Sequence, residues 1–505
     1  MKEQAWEITA KLQELSSSLD FENPNLAMIL AAGHGKRIKS EKSKMLHMIW
    51  GVPTVTRVAN AAREGLETSN QVLVVGIKAL DVAGALGKAA HRFFVFQENQ
   101  KGTGDAVRVG LQPLLSDHYA GAVYVFPGDM GLLDSRAIRD FRRDFETNAC
   151  DMMVLTADYQ GRPEDNYYGR IIRVPAKDVE AKPAGGDYGK VIEIVEHRDI
   201  LALDPSTPHR IRFNRREYEF TRDELLAIAE FNTGVYAFEC GPLTKYIETL
   251  QTNNAQGELY VTDLIAIFNQ NGLAVRASRA KDYNTVLGFN NKSVLKEMQK
   301  IARNKVYDRL KDIIMIEDKD DFFLADEVIE QIIGLDIAHA PLDIVIGKGV
   351  HIGPSVRLNK GVVINSRAVL DGNIQLGENV VIHENVHLST YAHQVLSIGK
   401  NSRIFQGDII KGNLTIGENC QIESGVNMTG GDDYPTRIGN NVLIKGTSYI
   451  FGCVIEDDMW VEHSVLKCKH VERIVRRDGT VQPVRWVLPL PEGLDSIHSF
   501  DKNKS

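Results

Sequence analysis

Successive spacings of apolar residues divide this chain. Near the start, Ile8, Leu12, Leu15 and Leu19 recur at helical spacing, and Ser16–Ser18 and Asn23-Pro24 bring the pattern to a stop. A docking or capping helix is predicted over residues 1–25. Residues 26–289 alternate short apolar runs (Leu26–Leu30, Val72–Val75, Phe93–Phe96, Val123–Phe126) with longer helical stretches such as Val52–Glu67 and Gly104–Leu115. Strand then helix, repeated, predicts an α/β domain with a parallel sheet wrapped by helices. Residues 290–342 turn helical again, with Val294, Met298, Ile301, Val306, Leu310 and Ile313 near one face, and are expected to form a helical connector.

From Ile344 the period becomes six. Ile346, Ile352, Leu358, Ile364, Leu370, Leu376, Ile382 and Leu388 form one register, and Ile344, Val350, Val356 and Val362 begin another two residues earlier. The count resumes at Ile398 and again at Ile438, each time after a jump that inserts four residues. A strand would give period two and a helix 3.6. Period six fits a solenoid in which each unit is one short strand and one turn, three units closing a triangular coil. A parallel β-helix is therefore expected over 343–465, with loops projecting at Tyr391–Gln394 and Gly430–Asp433. Beyond it, residues 466–505 are expected to hold a hairpin at Ile474–Val481, turning at Asp478-Gly479 in a type I′ turn, and a mobile polar tail.

Composition narrows the function classes. The chain has 505 residues, 43% apolar and 25% charged, which excludes a disordered protein. A net charge of −8 argues against broad binding to nucleic acid or an anionic membrane. Five cysteines with no CxxC pair suggest neither a disulfide framework nor a structural zinc site. No apolar run approaches a membrane span, and the start lacks a signal-peptide core, so a cytoplasmic setting is expected.

Candidate chemistry starts where the first strand runs into Leu30-Ala31-Ala32-Gly33-His34-Gly35-Lys36-Arg37, followed by Lys44. Small residues let a nucleotide approach the backbone, and amides and basic side chains can hold phosphates. The segment is neither the Walker pattern nor GxGxxG. Alone it reads equally as a tight turn with solvated lysines.

Together with later segments it resembles the signature of sugar-1-phosphate nucleotidyltransferases. Gln97–Ala106, Gly128-Asp129, Tyr168–Ile171, Ile194–Asp199, Phe231–Gly234, Asn254–Asp263 and Gly288–Asn291 follow in family order. They are similar to segments of bacterial UDP-N-acetylglucosamine pyrophosphorylases, and the β-helix matches the GlmU-like members of that family. The likeness covers about residues 26–300. It implies a Rossmann-like nucleotidyltransferase domain followed by a left-handed β-helix. It further implies transfer of uridylyl from UTP to N-acetylglucosamine-1-phosphate, with Mg²⁺, giving UDP-N-acetylglucosamine and pyrophosphate. Arg37 and Lys44 would be catalytic. Leu30, Ala31, Ala32, Gly33, Gln97, Gln100, Gly102 and Thr103 would bind nucleotide. Gly169, Glu196 and Asn232 would hold the sugar, and Asp129 and Asn290 the metal. The chemistry suits these residues: hard oxygens suit Mg²⁺, cations neutralise the triphosphate, and an ionised phosphate nucleophile needs no general base. A homotrimer built through the β-helices is expected.

Departures matter too. Ser43 stands where the family has Pro, and a charged insertion, Leu201–Leu226, borders the expected sugar pocket. In the second half, the position of the family's acetyltransferase histidine falls on Phe405, Gln406 or Gly407, none of them a base at neutral pH. Asn427-Met428-Thr429-Gly430 lacks the family's Tyr and Asp. Acetyl transfer is expected to be absent, unless His393 substitutes. Two further readings stay open: another sugar-1-phosphate as acceptor, and a non-catalytic sugar-nucleotide scaffold. His383, His387 and His393 also raise a zinc site of the γ-carbonic-anhydrase kind.

Overall fold

The computed structural model describes residues 2–33, 35–115, 119–337 and 341–487; His34 and the polar tail from 488 onward lie outside these. The chain divides into two compact units, Met1–Gln299 and Lys300–Ser505.

The first unit is built on one nine-stranded sheet: β1 (Asn25–Ala31), β2 (Gln71–Val75), β3 (Arg92–Phe96), β4 (Ala122–Pro127), β5 (Met152–Asp158), β6 (Arg170–Arg173), β7 (Val191–Val195), β8 (Glu230–Glu239) and β9 (Val275–Arg279). Their order is β9-β5-β8-β4-β1-β2-β3, with β6 pairing β8 and β7 pairing β6. Strands β4, β1, β2 and β3 are mutually parallel, whereas β8 runs antiparallel to β4 and β5. Alternate residues of a strand face opposite ways, so a sheet covered on both sides must be apolar throughout. Ala27, Ile29 and Ala31 accordingly enter one core with Val58, Phe141 and Phe145, while Leu26 and Met28 enter the other with Val107 and Leu111.

The N-terminal helix, α1 (Lys2–Leu15), docks on the first of these cores through Leu12, which is fully buried, with Ile8 and Leu15 at its margin. It ends as expected in the serines. Ser16 Oγ accepts the Phe94 amide, and the Ser17 amide donates to Arg92 O, fastening the chain to the edge strand β3.

The charged insertion is a small folded lobe. A helix, His197–Ala202, precedes a hairpin, His209–Phe213 with Arg216–Phe220, and a second helix, Arg222–Ala227. Asn214 and Arg215 take φ of 48° and 63° at the hairpin turn, and Thr221 with Glu224 forms a capping box. Ile200, Phe213, Tyr218 and Leu225 pack on Ile172 and Val195 in a core of their own. Charge on the outside and this apolar set inside explain why the segment reads only as polar insertion in sequence.

The second unit is a left-handed parallel β-helix of three sheets with eight, eight and seven strands. One inward column runs Ile346, Ile364, Ile382, Ile404, Ile422, Ile444 and Val461, each essentially unexposed. Steps of eighteen residues become twenty-two between Ile382 and Ile404 and between Ile422 and Ile444, where the four-residue insertions sit. Both insertions lie at the same prism corner. Asp432 in the second accepts from Gln394 (2.8 Å) and lies 3.0 Å from His393 Nε2 in the first. At another corner Asn379, Asn401, Asn419 and Asn441 all take left-handed backbone conformations. Each side-chain amide donates to the next along the axis, at 3.1, 3.1 and 3.3 Å, and Asn441 ends the row on Asp458. Asn tolerates that conformation, so one residue both makes the turn and bonds the coils together.

The ladders start before the hexapeptide period does. Met315–Ile316 pairs with Val345–Ile346, and Phe322–Leu324 with Val350–Ile352. The segment expected as a helical connector thus contains helices Lys292–Leu310 and Asp326–Asp336 with ladder strands between them. The second of those helices interrupts the spacing and hides the first coil from a period count. At the other end the last coils shorten. Leu443 is opposite Trp460, Tyr449 opposite Val465 and Val454 opposite His470, steps of seventeen, sixteen and sixteen residues. The final strands are then covered: the Glu462 and Val465 amides donate to Val484 O and Trp486 O, and the Val484 amide to Trp460 O. The expected hairpin at Ile474–Val481 is present, with a different turn. Gly479 has φ of 84° but Asp478 does not have positive φ, and the Gly479 amide donates to Arg476 O while the Arg476 amide donates to Thr480 O. This is a type I turn closed by a glycine bulge, because Asp478 Oδ1 accepts the Thr480 amide instead of entering the left-handed region.

Candidate active site

Parallel strands aim their C-terminal ends the same way, and ligands of open α/β sheets bind there. The loops after β1, β2, β3 and β4 meet at this edge. The Gly128 amide donates to Leu30 O at 3.0 Å, tying the ends of β4 and β1. A Cβ on Gly76 would stand 2.8 Å from Ala32 and 2.9 Å from Gln100 Nε2, so three loops close on each other only because residue 76 is glycine. Leu30, Ala31, Ala32 and Gly33 form the floor of this edge, and Arg37 lies exposed on a single 3₁₀ turn, Lys36–Ile38.

Lys44 is the centre of the site. It opens a 3₁₀ turn, Lys44–Leu46, whose Met45 amide is capped by the Ser43 hydroxyl. The serine that departs from the family pattern therefore serves as the cap. Lys44 is 9% exposed. Its ammonium pairs with Asp129 Oδ2, donates to Asn290 Oδ1 at 2.9 Å, and sits 5.4 Å from the centre of the Phe289 ring. Residues far apart in sequence thus converge on one cation. A Cβ on Gly288 would approach Asp129 Oδ2 to 3.3 Å, which keeps the 288–290 segment against the carboxylate. Two hard oxygens meeting at a cationic point suit Mg²⁺, which takes one or two protein oxygens and fills its octahedron with water and substrate phosphates.

The segment after β3 is held firmly. Gln97 is buried, and its Nε2 donates to Asp105 Oδ2 at 2.8 Å. Gln100 Nε2 donates to Gln97 O at 3.0 Å. Gly102 has φ of 108°, and a Cβ there would meet Leu259 O at 2.4 Å. Thr103 Oγ1 accepts the Val261 amide at 3.2 Å. In this state the Gln97 amide is engaged with Asp105 and the Thr103 hydroxyl with the 259–261 segment. Asp105, absent from the sequence expectation, orients Gln97, and no local sequence signal marks it for that role.

On the other side, Gly169, Glu196 and Asn232 come together. The Asn232 amide donates to Gly169 O at 2.9 Å, and a Cβ on Gly169 would be 3.0 Å from Glu196 Oε1. The Asn232 side chain donates to Tyr236 Oη (2.7 Å) and accepts the Gly234 amide (2.9 Å), shaping the bulge in β8. Burial, aided by Asp199 and Asp263, raises the Glu196 carboxyl to about 7 against the opposing pull of Arg170. Burial, with Glu193 and Asp199, raises Asp263 to about 6. Arg170 is wholly buried. It donates to Asn166 O and Tyr168 O, while its Nε, His197 Nδ1 and Thr262 Oγ1 have no protein partner.

In the β-helix, Phe405 stacks on His383 at 4.6 Å between ring centres, Gln406 is exposed, and Gly407 has φ of 75°. His393 pairs with Asp432 instead of approaching the other two histidines. Among the described residues of one chain, no group of three His, Cys, Asp or Glu side chains gathers as a ligand set. No described helix is long and apolar enough to cross a membrane.

Residues 27–193 match the MobA-like NTP transferase domain family. The chain is 34% identical over 322 residues to the bifunctional protein GlmU of Acetivibrio thermocellus, covering 63% of this chain and 60% of that one. It is 35% identical over 289 residues to the bifunctional protein GlmU of Streptomyces griseus, covering 57% and 52%. A solved structure described as a putative glucose-1-phosphate thymidylyltransferase from Bacillus anthracis is 18% identical, with a TM-score of 0.38, over 55% of this chain and 95% of that one. The chain spans a little over half the length of the curated relatives it matches.

Proposed function

Taking this chain as a GlmU-like protein with a nucleotidyltransferase fold, we propose that it is a uridylyltransferase. It makes UDP-N-acetylglucosamine and pyrophosphate from UTP and N-acetylglucosamine-1-phosphate. The observation that carries the reading is the convergence of Lys44, Asp129 and Asn290 at the C-terminal edge of the parallel strands. Charge grows on the phosphoryl oxygens as the sugar phosphate attacks the α-phosphorus and pyrophosphate leaves, so catalysis is positioning and electrostatics. Mg²⁺, held by Asp129 and Asn290, would supply charge neutralisation beside the α-phosphate. Arg37 and Lys44 would neutralise the leaving pyrophosphate. The loops carrying Leu30–Gly33 and Gln97–Thr103 would seat the nucleotide, with Asp105 fixing the Gln97 amide. Gly169, Glu196 and Asn232 would seat the sugar.

A change of acceptor is the second reading, and the folded insertion favours considering it, because its apolar residues pack on Val195, next to Glu196. Pyrophosphate release measured across nucleoside triphosphates and sugar-1-phosphates separates the possibilities. Fastest turnover with UTP and N-acetylglucosamine-1-phosphate supports the main reading. Faster turnover with another sugar supports the second. Release with none leaves a non-catalytic sugar-nucleotide scaffold, against which a buried lysine between two metal-type oxygens argues. The β-helix is proposed as a trimerising scaffold without acetyltransferase activity, testable by light scattering.

A further inference from the structure

We propose that Lys44 is a tethered competitor of the divalent cation: in the nucleotide-free chain its ammonium holds the Asp129 and Asn290 oxygens and keeps a metal ion off them. This role rests on the metal assignment proposed above and adds to it a rival built into the chain itself. The same two atoms serve both cations. Asp129 Oδ2 pairs with Lys44 Nζ, and Asn290 Oδ1 accepts from it at 2.9 Å. An ammonium is satisfied by oxygens at hydrogen-bond distance, whereas Mg²⁺ draws its oxygens in to about 2.1 Å. A dication on those oxygens would stand against the ammonium, and like charges repel most where water is scarce. Water is scarce here: the Lys44 and Asp129 side chains are 10% and 15% exposed.

The backbone of Lys44 is fixed, which leaves its side chain alone free to move. The Leu46 amide donates to Ser43 O, the His47 amide to Lys44 O, and Thr54 Oγ1 to Met45 O at 2.9 Å. Gly35 has φ of 60°, and a Cβ there would stand 2.9 Å from Lys44 Cβ, so the loop after β1 closes on the root of the lysine stem. Beyond that root the stem is flexible and ends in a compact charge, steadied by the Phe289 ring 5.4 Å away. Asn290 is exposed, so an ion from solvent reaches the two oxygens from its side. A carboxylate as enclosed as Asp129 demands a counter-charge, and Lys44 supplies it before any metal does. An uncharged side chain in its place leaves that demand to be met by the divalent ion.

The probe is Mn²⁺, a divalent ion that takes the same hard oxygens and whose free form is counted by electron paramagnetic resonance. It is titrated into the full chain without nucleotide. Lys44→Met and Lys44→Gln should each bind Mn²⁺ at least tenfold more tightly than wild type, with one site per chain. A lysine that only packed, or only touched substrate, would not produce a gain in metal affinity on removal. Lys44→Arg keeps the charge and should stay within about threefold of wild type, as should Arg37→Gln, which removes an exposed cation from the same loop. Lys44→Met with Asp129→Ala should lose the tight site. Circular dichroism verifies that each variant folds. Unchanged or weaker binding in the folded Lys44→Met and Lys44→Gln variants, with Asp129→Ala alone still weakening Mn²⁺ binding, would overturn the competition and leave the metal assignment standing. A gain in Arg37→Gln equal to that in Lys44→Met would reduce the effect to overall charge and overturn the proposal. A tight site that persists without Asp129 would overturn the metal assignment and the competition together.

Discussion

Replacing Asp408 with asparagine should reverse the sign of its effect on stability between acid and alkaline pH. Asp408 lies inside the β-helix with no measurable exposure. Its Oδ1 accepts the Val426 amide at 2.8 Å, and its Oδ2 has no partner. Burial raises its carboxyl from 3.8 to about 8, outweighing the backbone donors Val426, Gly425 and Phe405 that favour the anion. Because the folded value is the higher one, the folded chain holds a proton that the unfolded chain releases. The resulting stability is complete below pH 4, is lost as pH rises toward 8, and changes no further above that. At about 1.4 kcal/mol per pH unit, the roughly four units between the two values set a ceiling near 6 kcal/mol. Asn keeps the carbonyl that accepts from Val426 and never ionises. It buries an unpartnered amide donor, at a cost of about 1–3 kcal/mol. Asp408→Asn should therefore be less stable than wild type at pH 4.5 and more stable at pH 9. Urea unfolding followed by Trp460 and Trp486 fluorescence, with Trp6 and Trp50 changed to Phe, reads this unit alone. A mutant-to-wild-type difference that stays constant from pH 4.5 to 9 would refute a buried, protonated Asp408.

Asp129→Ala and Asn290→Ala should each lower pyrophosphate release by about 10²–10³-fold without altering circular dichroism, since both act on charge and not on packing. Lys44→Ala should lower kcat more than it raises the KM for UTP; a loss confined to KM would make Lys44 a ground-state contact. Gly102→Ala must force a Cβ against Leu259 O at positive φ, so UTP affinity should fall and the melting temperature with it. Free CoA should not appear from acetyl-CoA and glucosamine-1-phosphate, because Gln406 cannot accept a proton; robust release abolished by His393→Ala would place the base in the inserted loop.

Legibility in sequence followed the range of the interactions. The β-helix showed itself because its core column is one branched residue per six, with Ile346 through Ile444 each recurring in register. Strands β1, β2 and β4 were visible because both their faces are buried, and β3 because its run of Phe and Val is apolar throughout. The Asn ladder was not, since a residue recurring about once per coil registers as loop composition until the coils are stacked. The pairing of Lys44 with Asp129 and Asn290 was foreshadowed only as separate roles. Nothing local says that a lysine will stand between the two oxygens expected to hold a metal. The capture of Gln97 by Asp105 depends on how the helix Thr103–Leu115 meets β3, which no motif encodes.

The shortened last coils have a consequence for self-association. An open parallel β-helix ends in three unpaired strand edges, each a template onto which a second chain could add. Here the steps contract from eighteen residues to sixteen, so the terminal triangle no longer matches the coils below it. The 482–487 segment then takes up amides and carbonyls of the last strands. The far tip of the solenoid is thereby made a poor seed for end-to-end fibres.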